Sequence, residues 1–208
     1  MENTVRDHAK KLIEKKVGKP FFDLPPSFVG KDGSLGTPMR MDEEEFEDAK
    51  HWLDDYFCLI RKDNDSLPDI DWVISAARSA VLRYGIRGLV IDPYNELDHC
   101  RKASMSETEY VSQVLTKIKI FSRSYGVHVW FVAHPRQLQD FNNNIPTIYD
   151  ISGSAHFANK ADNVLVVHRS TEDNSVKIVL RKVRNKLAGT KGEATLLYDR
   201  VTGRYRDK

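Results

Sequence analysis

Ile86-Arg87-Gly88-Leu89-Val90-Ile91-Asp92 is a short apolar, β-branched run that ends abruptly in a carboxylate, with Gly85 before it and Pro93 after it. A run of this kind reads as a fully buried strand. An acid at the carboxyl end of such a strand sits where open α/β sheets place their ligands. Aspartate there is suited to holding a Mg²⁺ ion that carries nucleotide phosphates. A plain strand stopped by an Asp-Pro turn is the competing reading, and this stretch alone leaves both open.

A second run has the same form. Val127-His128-Val129-Trp130-Phe131-Val132-Ala133 is apolar and ends in His134 and Pro135. Between the two runs lies one long amphipathic segment. Strand, helix, strand puts both polar ends at one edge of a parallel sheet, which is the layout of a nucleotide site. Without that layout, His134 would be an ordinary structural histidine.

Composition narrows the class. The chain has 208 residues, 40% hydrophobic and 30% charged, which suits a globular α/β domain with its own core. A net charge of +2 does not announce a nucleic-acid binder, so any such role must come from a local cluster. No apolar run approaches the roughly 18 residues needed to span a bilayer, so no membrane role is expected. Cys58 and Cys100 have neither metal spacing nor a disulfide framework. The first residues are charged at once and lack both a signal-peptide core and the acid-poor character of a transit peptide.

Helices are expected over residues 4–17, 42–56, 69–84, 107–125 and 152–160, from apolar spacing, capping residues and closing glycines. Ser106 and Glu109 form a capping-box pattern ahead of the fourth. Besides the two runs above, strands are expected over 57–60, 164–167, 176–183 and 194–198. Residues 19–40, rich in Pro and Gly, read as an irregular connection. No repeat and no domain boundary is evident, so residues 1–208 are read as one domain.

Four local patterns then line up in order. Leu89-Val90-Ile91-Asp92 resembles a Walker B strand, and Val132-Ala133-His134-Pro135-Arg136 resembles the phosphate-sensing motif that follows it. Asp150-Ile151-Ser152-Gly153-Ser154-Ala155, with Lys160-Ala161-Asp162-Asn163, resembles a DNA-loop and helix motif. Arg181-Lys182-Val183-Arg184-Asn185 resembles a basic carboxyl-terminal hairpin. Together they resemble the helicase domain of the DnaB-like replicative helicases, nearest to the Twinkle-type primase-helicases of plant organelles. The resemblance implies an α/β, RecA-like P-loop NTPase core, truncated at its amino terminus. Its sheet would be mostly parallel and flanked by helices, with a late antiparallel hairpin.

The resemblance also implies roles. Asp92 would hold Mg²⁺ on the phosphates of ATP or another nucleoside triphosphate. His134 would touch the γ-phosphate. Lys182 and Arg184 would reach a neighbouring subunit's nucleotide, with Arg184 as an arginine finger. Glu2, in Met1-Glu2-Asn3, would polarise the attacking water. Arg136, Ser152, Gly153, Ser154 and Lys186 would bind single-stranded DNA. The implied assembly is a homo-oligomeric, hexameric ring or a full-length helicase, moving 5′ to 3′ in mitochondrial or chloroplast replication. With no transit peptide in these residues, the cytoplasm and nucleus stay open. The Lys182–Arg184 spacing of two puts both cations on one face of a strand.

One element of the pattern is missing. No G-x-x-x-x-G-K-[ST] loop occurs in the 208 residues: Gly18-Lys19 precedes Pro20, and Gly30-Lys31 precedes Asp32. That loop cradles phosphates on its backbone N–H groups. Weak nucleotide affinity, inactivity of these residues alone and a partly uncovered apolar sheet face are therefore expected. The alternative is a non-catalytic module that binds single-stranded DNA or regulates a helicase ring.

Overall fold

A computed structural model describes residues 4–23, 39–62, 66–101, 103–135, 145–151, 154–170, 173–187 and 189–208, with Ser154 described in its backbone only. Its backbone clusters into two compact units, Met1–Arg61 with Leu196–Lys208, and Lys62–Thr195.

In the first unit, α1 (Val5–Val17) begins at Thr4, whose hydroxyl accepts from the Asp7 N–H while the Asp7 carboxylate accepts from the Thr4 N–H. Helix α2 (Glu43–Tyr56) is opened by the same reciprocal pair, Asp42 and Glu45. Each box satisfies donors that the first helical turn leaves orphaned. The two helices bury Ile13, Met41 and Ala49, with Val17, Phe21, Phe46 and Leu53 packed around them.

The second unit contains α3 (Ile70–Tyr84), β1 (Gly88–Ile91), α4 (Glu107–Tyr125), β2 (His128–Phe131), α5 (Ser154–Lys160), β3 (Asn163–Arg169) and β4 (Ser175–Val183). Helix α4 carries Val111, Val114, Ile118 and Phe121 on its buried stripe, at helical spacing. Gly85 and Gly126 close α3 and α4 in the left-handed conformation. Strands β1 and β2 are parallel, with Gly88 opposite His128 and Ile91 opposite Phe131. A parallel pair needs a crossover, and α4 supplies it.

A second sheet has the order β3-β4-β5-β6, where β5 is Gly192–Tyr198 and β6 is Tyr205–Asp207. β3–β4 and β5–β6 are antiparallel. The division between the units falls within β5. The molecule is thus α/β as expected, with a parallel pair, helices and an antiparallel sheet late in the chain.

The expected strand at 57–60 does not form. Phe57 has extended dihedrals, yet these residues join no ladder among the described strands, and Phe57 and Leu59 are exposed. A strand exists through its hydrogen-bonded neighbour, and apolar composition cannot replace one. The three-residue strand β6 was not expected. Neither were the 3₁₀ turns Tyr94–Glu96 and Ile148–Asp150.

On β1, Leu89 and Ile91 are buried while Val90 is 63% exposed, and on β2 Trp130 is 50% exposed. Among the described residues one face of this pair is exposed, so β1 is not the fully buried strand expected from its apolar run. Parallel sheets ordinarily have both faces covered.

Candidate nucleotide edge and cationic helix cap

Strand β1 ends at Ile91, so Asp92 emerges, exposed, at the carboxyl edge of the parallel pair. After it the chain turns inward: Pro93 and Tyr94 are buried and the Asp92–Pro93 peptide is cis. Strand β2 ends at the same edge. The ladder continues past the regular strands, the Val132 N–H donating to the Ile91 carbonyl at 2.9 Å and the Tyr94 N–H to the Val132 carbonyl at 2.8 Å. The His134 N–H donates to Asn95 Oδ1 at 3.0 Å. Asp92 and His134 therefore lie in two loops tied together by three hydrogen bonds at one sheet edge.

An aromatic cluster supports that edge. The Tyr94 ring lies 4.6 Å from His99, 5.3 Å from Phe131 and 5.9 Å from Phe157 of α5, centroid to centroid. Burial, with the nearby Tyr110 and Glu107, pushes the Tyr94 phenol up to about 12. It therefore stays neutral and acts as packing.

Among the described residues, no group of three or more His, Cys, Asp or Glu side chains could hold a metal ion. A lone exposed carboxylate does not make a resident metal site. It does fit Mg²⁺ that arrives on a nucleotide, because this ion keeps most of its ligands as water and phosphate oxygen and takes only one or two carboxylates. Asp92 is the residue that would touch it, directly or through water.

The basic strand places its cations at the end of α5. Lys182 Nζ donates to the Ala158 carbonyl and, at 3.3 Å, to the Asn159 carbonyl. One terminal nitrogen of Arg184, NH2, donates to the carbonyls of Asn159 (2.6 Å), Ala161 (3.2 Å) and Lys160 (3.4 Å). Both side chains thus reach one target, the last carbonyls of a seven-residue helix. Helix carboxyl termini carry partial negative charge and unsatisfied carbonyls, so cations stabilise them.

A β-bulge lies beside this site. Val164 pairs with Lys182 and Leu165 with Leu180, which leaves Arg181 as the extra residue. Burial and the Arg184 charge lower the pKa of Lys182, opposed by Asp162. Arg184 Nε meets Asp162 Oδ1 at 2.9 Å, and Lys119 Nζ of α4 meets the same oxygen at 2.6 Å.

Lys186 is exposed in the turn after β4. Ser154 opens α5. Glu2, Arg136, Ser152 and Gly153 lie outside the described residues. Three further residues belong with the site although their roles were not anticipated. Asn95 ties the His134 loop, Asp162 pairs with Arg184, and Lys119 holds Asp162. Asp162 lay within a quoted motif, but nothing in the spacing linked it to a strand 22 positions on or to α4.

No protein-family model matches the chain. The chain is 58% identical over its whole length to the Twinkle homolog protein, chloroplastic/mitochondrial, of Arabidopsis thaliana. It is similar, from end to end, to one part of a Twinkle-type protein. It spans 29% of that relative's length. In fold, a DnaB-like replicative helicase, solved in a study of its interactions with primase, superposes with a TM-score of 0.72 at 18% identity over the whole chain, which covers 50% of that helicase chain. A separately solved ATPase domain gives the same TM-score and identity over the whole chain, with 72% of its own length covered. The RadB recombinase follows with a TM-score of 0.55 at 11% identity, 96% of this chain and 73% of that one being covered. The Twinkle-type, DnaB-like resemblance and the RecA-like fold thus agree in sequence and in shape.

Proposed function

We propose that this chain is part of an ATP-driven DNA helicase of the Twinkle type, acting 5′ to 3′ as a homo-oligomeric ring in mitochondrial or chloroplast DNA replication. The reading is carried by one juxtaposition, Asp92 and His134 in bonded loops at a single sheet edge, in a chain 58% identical to a Twinkle homolog. In this reading Asp92 meets Mg²⁺ on the triphosphate, His134 meets the γ-phosphate, and Glu2 orients the attacking water. Mg²⁺, when bound, neutralises charge on the phosphates.

Arg184 acts on the neighbouring protomer's nucleotide. An arginine there offsets the charge that builds on the transferring phosphoryl group. Lys182, with both of its recorded bonds on α5, steadies the helix end beside it. Arg136, Ser152, Gly153, Ser154 and Lys186 meet single-stranded DNA.

The 208 residues lack a phosphate loop, so by themselves they are expected to hydrolyse no ATP. Robust turnover by this chain that Asp92→Ala abolishes would overturn that division of labour. Binding to single-stranded DNA is expected to weaken steeply with salt. Arg136→Ala with Lys186→Ala should lower the salt slope by roughly one to two, as expected when two phosphate contacts go. An unchanged affinity and slope would count against the DNA role. A second reading is a non-catalytic module that joins a helicase ring. That reading predicts that added chain inhibits an active ring, whereas the first predicts no effect.

A further inference from the structure

We propose that Asp162 is a positioning residue for Arg184, clamping one edge of its guanidinium so that the opposite amino group is presented to a phosphate. This rests on the reading of Arg184 as a donor to a neighbouring protomer's nucleotide.

Asp162 grips Arg184 twice. Its carbonyl accepts the Arg184 N–H at 2.8 Å, and its side chain meets Arg184 Nε at 2.9 Å. The last two α5 carbonyls, of Asn159 and Lys160, and the Ala161 carbonyl just after them accept from NH2. Nε and NH2 are thereby committed within the protomer, while NH1 has no partner among the described residues. The Arg184 side chain is 46% exposed. A guanidinium is a rigid planar fork, so fixing one edge fixes the direction of the remaining donors.

Asp162 is itself held. Lys119 Nζ bonds its carboxylate at 2.6 Å and the Lys160 carbonyl at 3.2 Å. Lys160 in turn donates to the Ser112 carbonyl (2.6 Å) and hydroxyl (2.8 Å) and to the Thr116 hydroxyl of α4. Burial alone would raise the pKa of Asp162, but the Lys119 hydrogen bond and the charges of Lys119, Arg184 and Arg123 hold it below the ordinary value. The carboxylate is therefore charged at neutral pH. Its side chain is 59% exposed, and an ion pair so exposed adds little to stability. Direction, rather than stability, is what this pair supplies. Holding a donor in its productive orientation lowers what must be organised at the moment of reaction.

The activity test uses the Arabidopsis Twinkle homolog with these 208 residues in place of the stretch they match. Asp162→Asn is expected to lower kcat by about tenfold or more with KM for ATP little changed, the pattern of an interaction made in the transition state. Asp162→Glu should restore most of the loss. Asp162→Asn added to Arg184→Ala should cost nothing further.

If Arg184→Ala turns over like the parent, the trans-donor reading falls and this inference falls with it. If Arg184→Ala is inactive but Asp162→Asn is normal, this inference alone fails. Equal losses from Asp162→Asn with and without Arg184 would mark Asp162 as merely structural and overturn it. Independently, nitrogen NMR on the 208-residue chain should show the Arg184 Nε–H signal shifted and exchanging faster in Asp162→Asn. A signal unchanged by that substitution overturns the clamp.

Discussion

Arg204 and Arg184 do the same kind of work at two different helix ends. Arg204 donates from Nε to the Lys15 carbonyl and from NH2 to the Lys16 carbonyl, each at 2.6 Å, closing the last turn of α1. Gly18 ends that helix at φ +81°, and a Cβ there would collide with the Arg204 guanidinium. Glycine is favoured there for its dihedral, and a Cβ would also push the Arg204 side-chain end aside. Arg204→Ala should cost about 1–3 kcal/mol in chemical denaturation, the range for hydrogen bonds from a charged donor. A loss below a few tenths would mean that the bonds are replaced by water. Gly18 was legible as a stop signal, but its partner 186 positions on was not. Asp92 and His134 were legible for a different reason. Each follows an apolar run directly, and the end of a run fixes a position along the sheet.

Helix α4 was readable to the residue at both ends. Ser106 and Glu109 state its start in two letters, and Gly126 states its stop. In the structure the Ser106 hydroxyl accepts the Glu109 N–H at 3.2 Å, and the Glu109 carboxylate accepts the Ser106 N–H at 2.9 Å. The Ser106 hydroxyl also donates to that carboxylate at 2.8 Å, and the Ser106 N–H bond first, then this one, hold the Glu109 pKa below its ordinary value of 4.5. The sign follows from that direction. Stability from a carboxylate with a depressed folded value is present above the unfolded value and is lost as pH falls through the folded one.

Ser106→Ala should therefore lower stability at neutral pH through the lost cap and make the decline below pH 4.5 shallower, the backbone N–H bond to Glu109 remaining. Denaturant midpoints measured at pH 7 and pH 3 test both. A variant that declines with acid as steeply as the parent would show that the box does not set that limb. Strands were less legible than helices. A capped helix satisfies its own backbone, whereas a strand needs a partner: β6 finds one in β5 just upstream, and residues 57–60 join no ladder among the described strands. Composition cannot report whether such a neighbour is there.

At the scale of the described chain, the parallel pair buries Leu89 and Ile91 on one face and exposes Val90 and Trp130 on the other. Val90 and Trp130 sit on the bare face, and the Trp130 ring lies 4.9 Å from that of His128. The expectation of an uncovered face came from the missing phosphate loop. Which residues form it was not read from the sequence, where the β1 run looked buried on both faces; the structure exposes Val90 and Trp130.

Exposed apolar strand surface promotes association. Val90→Thr with Trp130→Thr keeps β-compatible residues while removing much of that surface. It should shift sedimentation of concentrated chain toward monomer and leave the far-ultraviolet dichroism unchanged. Equal self-association in parent and variant would clear this face of the effect.

The same half-dressed sheet bears on how the molecule comes apart. Once heating loosens the strands, clumping can outrun refolding, and the transition then runs in one direction only. Melting midpoints should drift upward with faster scan rates. Reversible denaturant titrations at low concentration, rather than calorimetry, are then the proper yardstick for comparing variants.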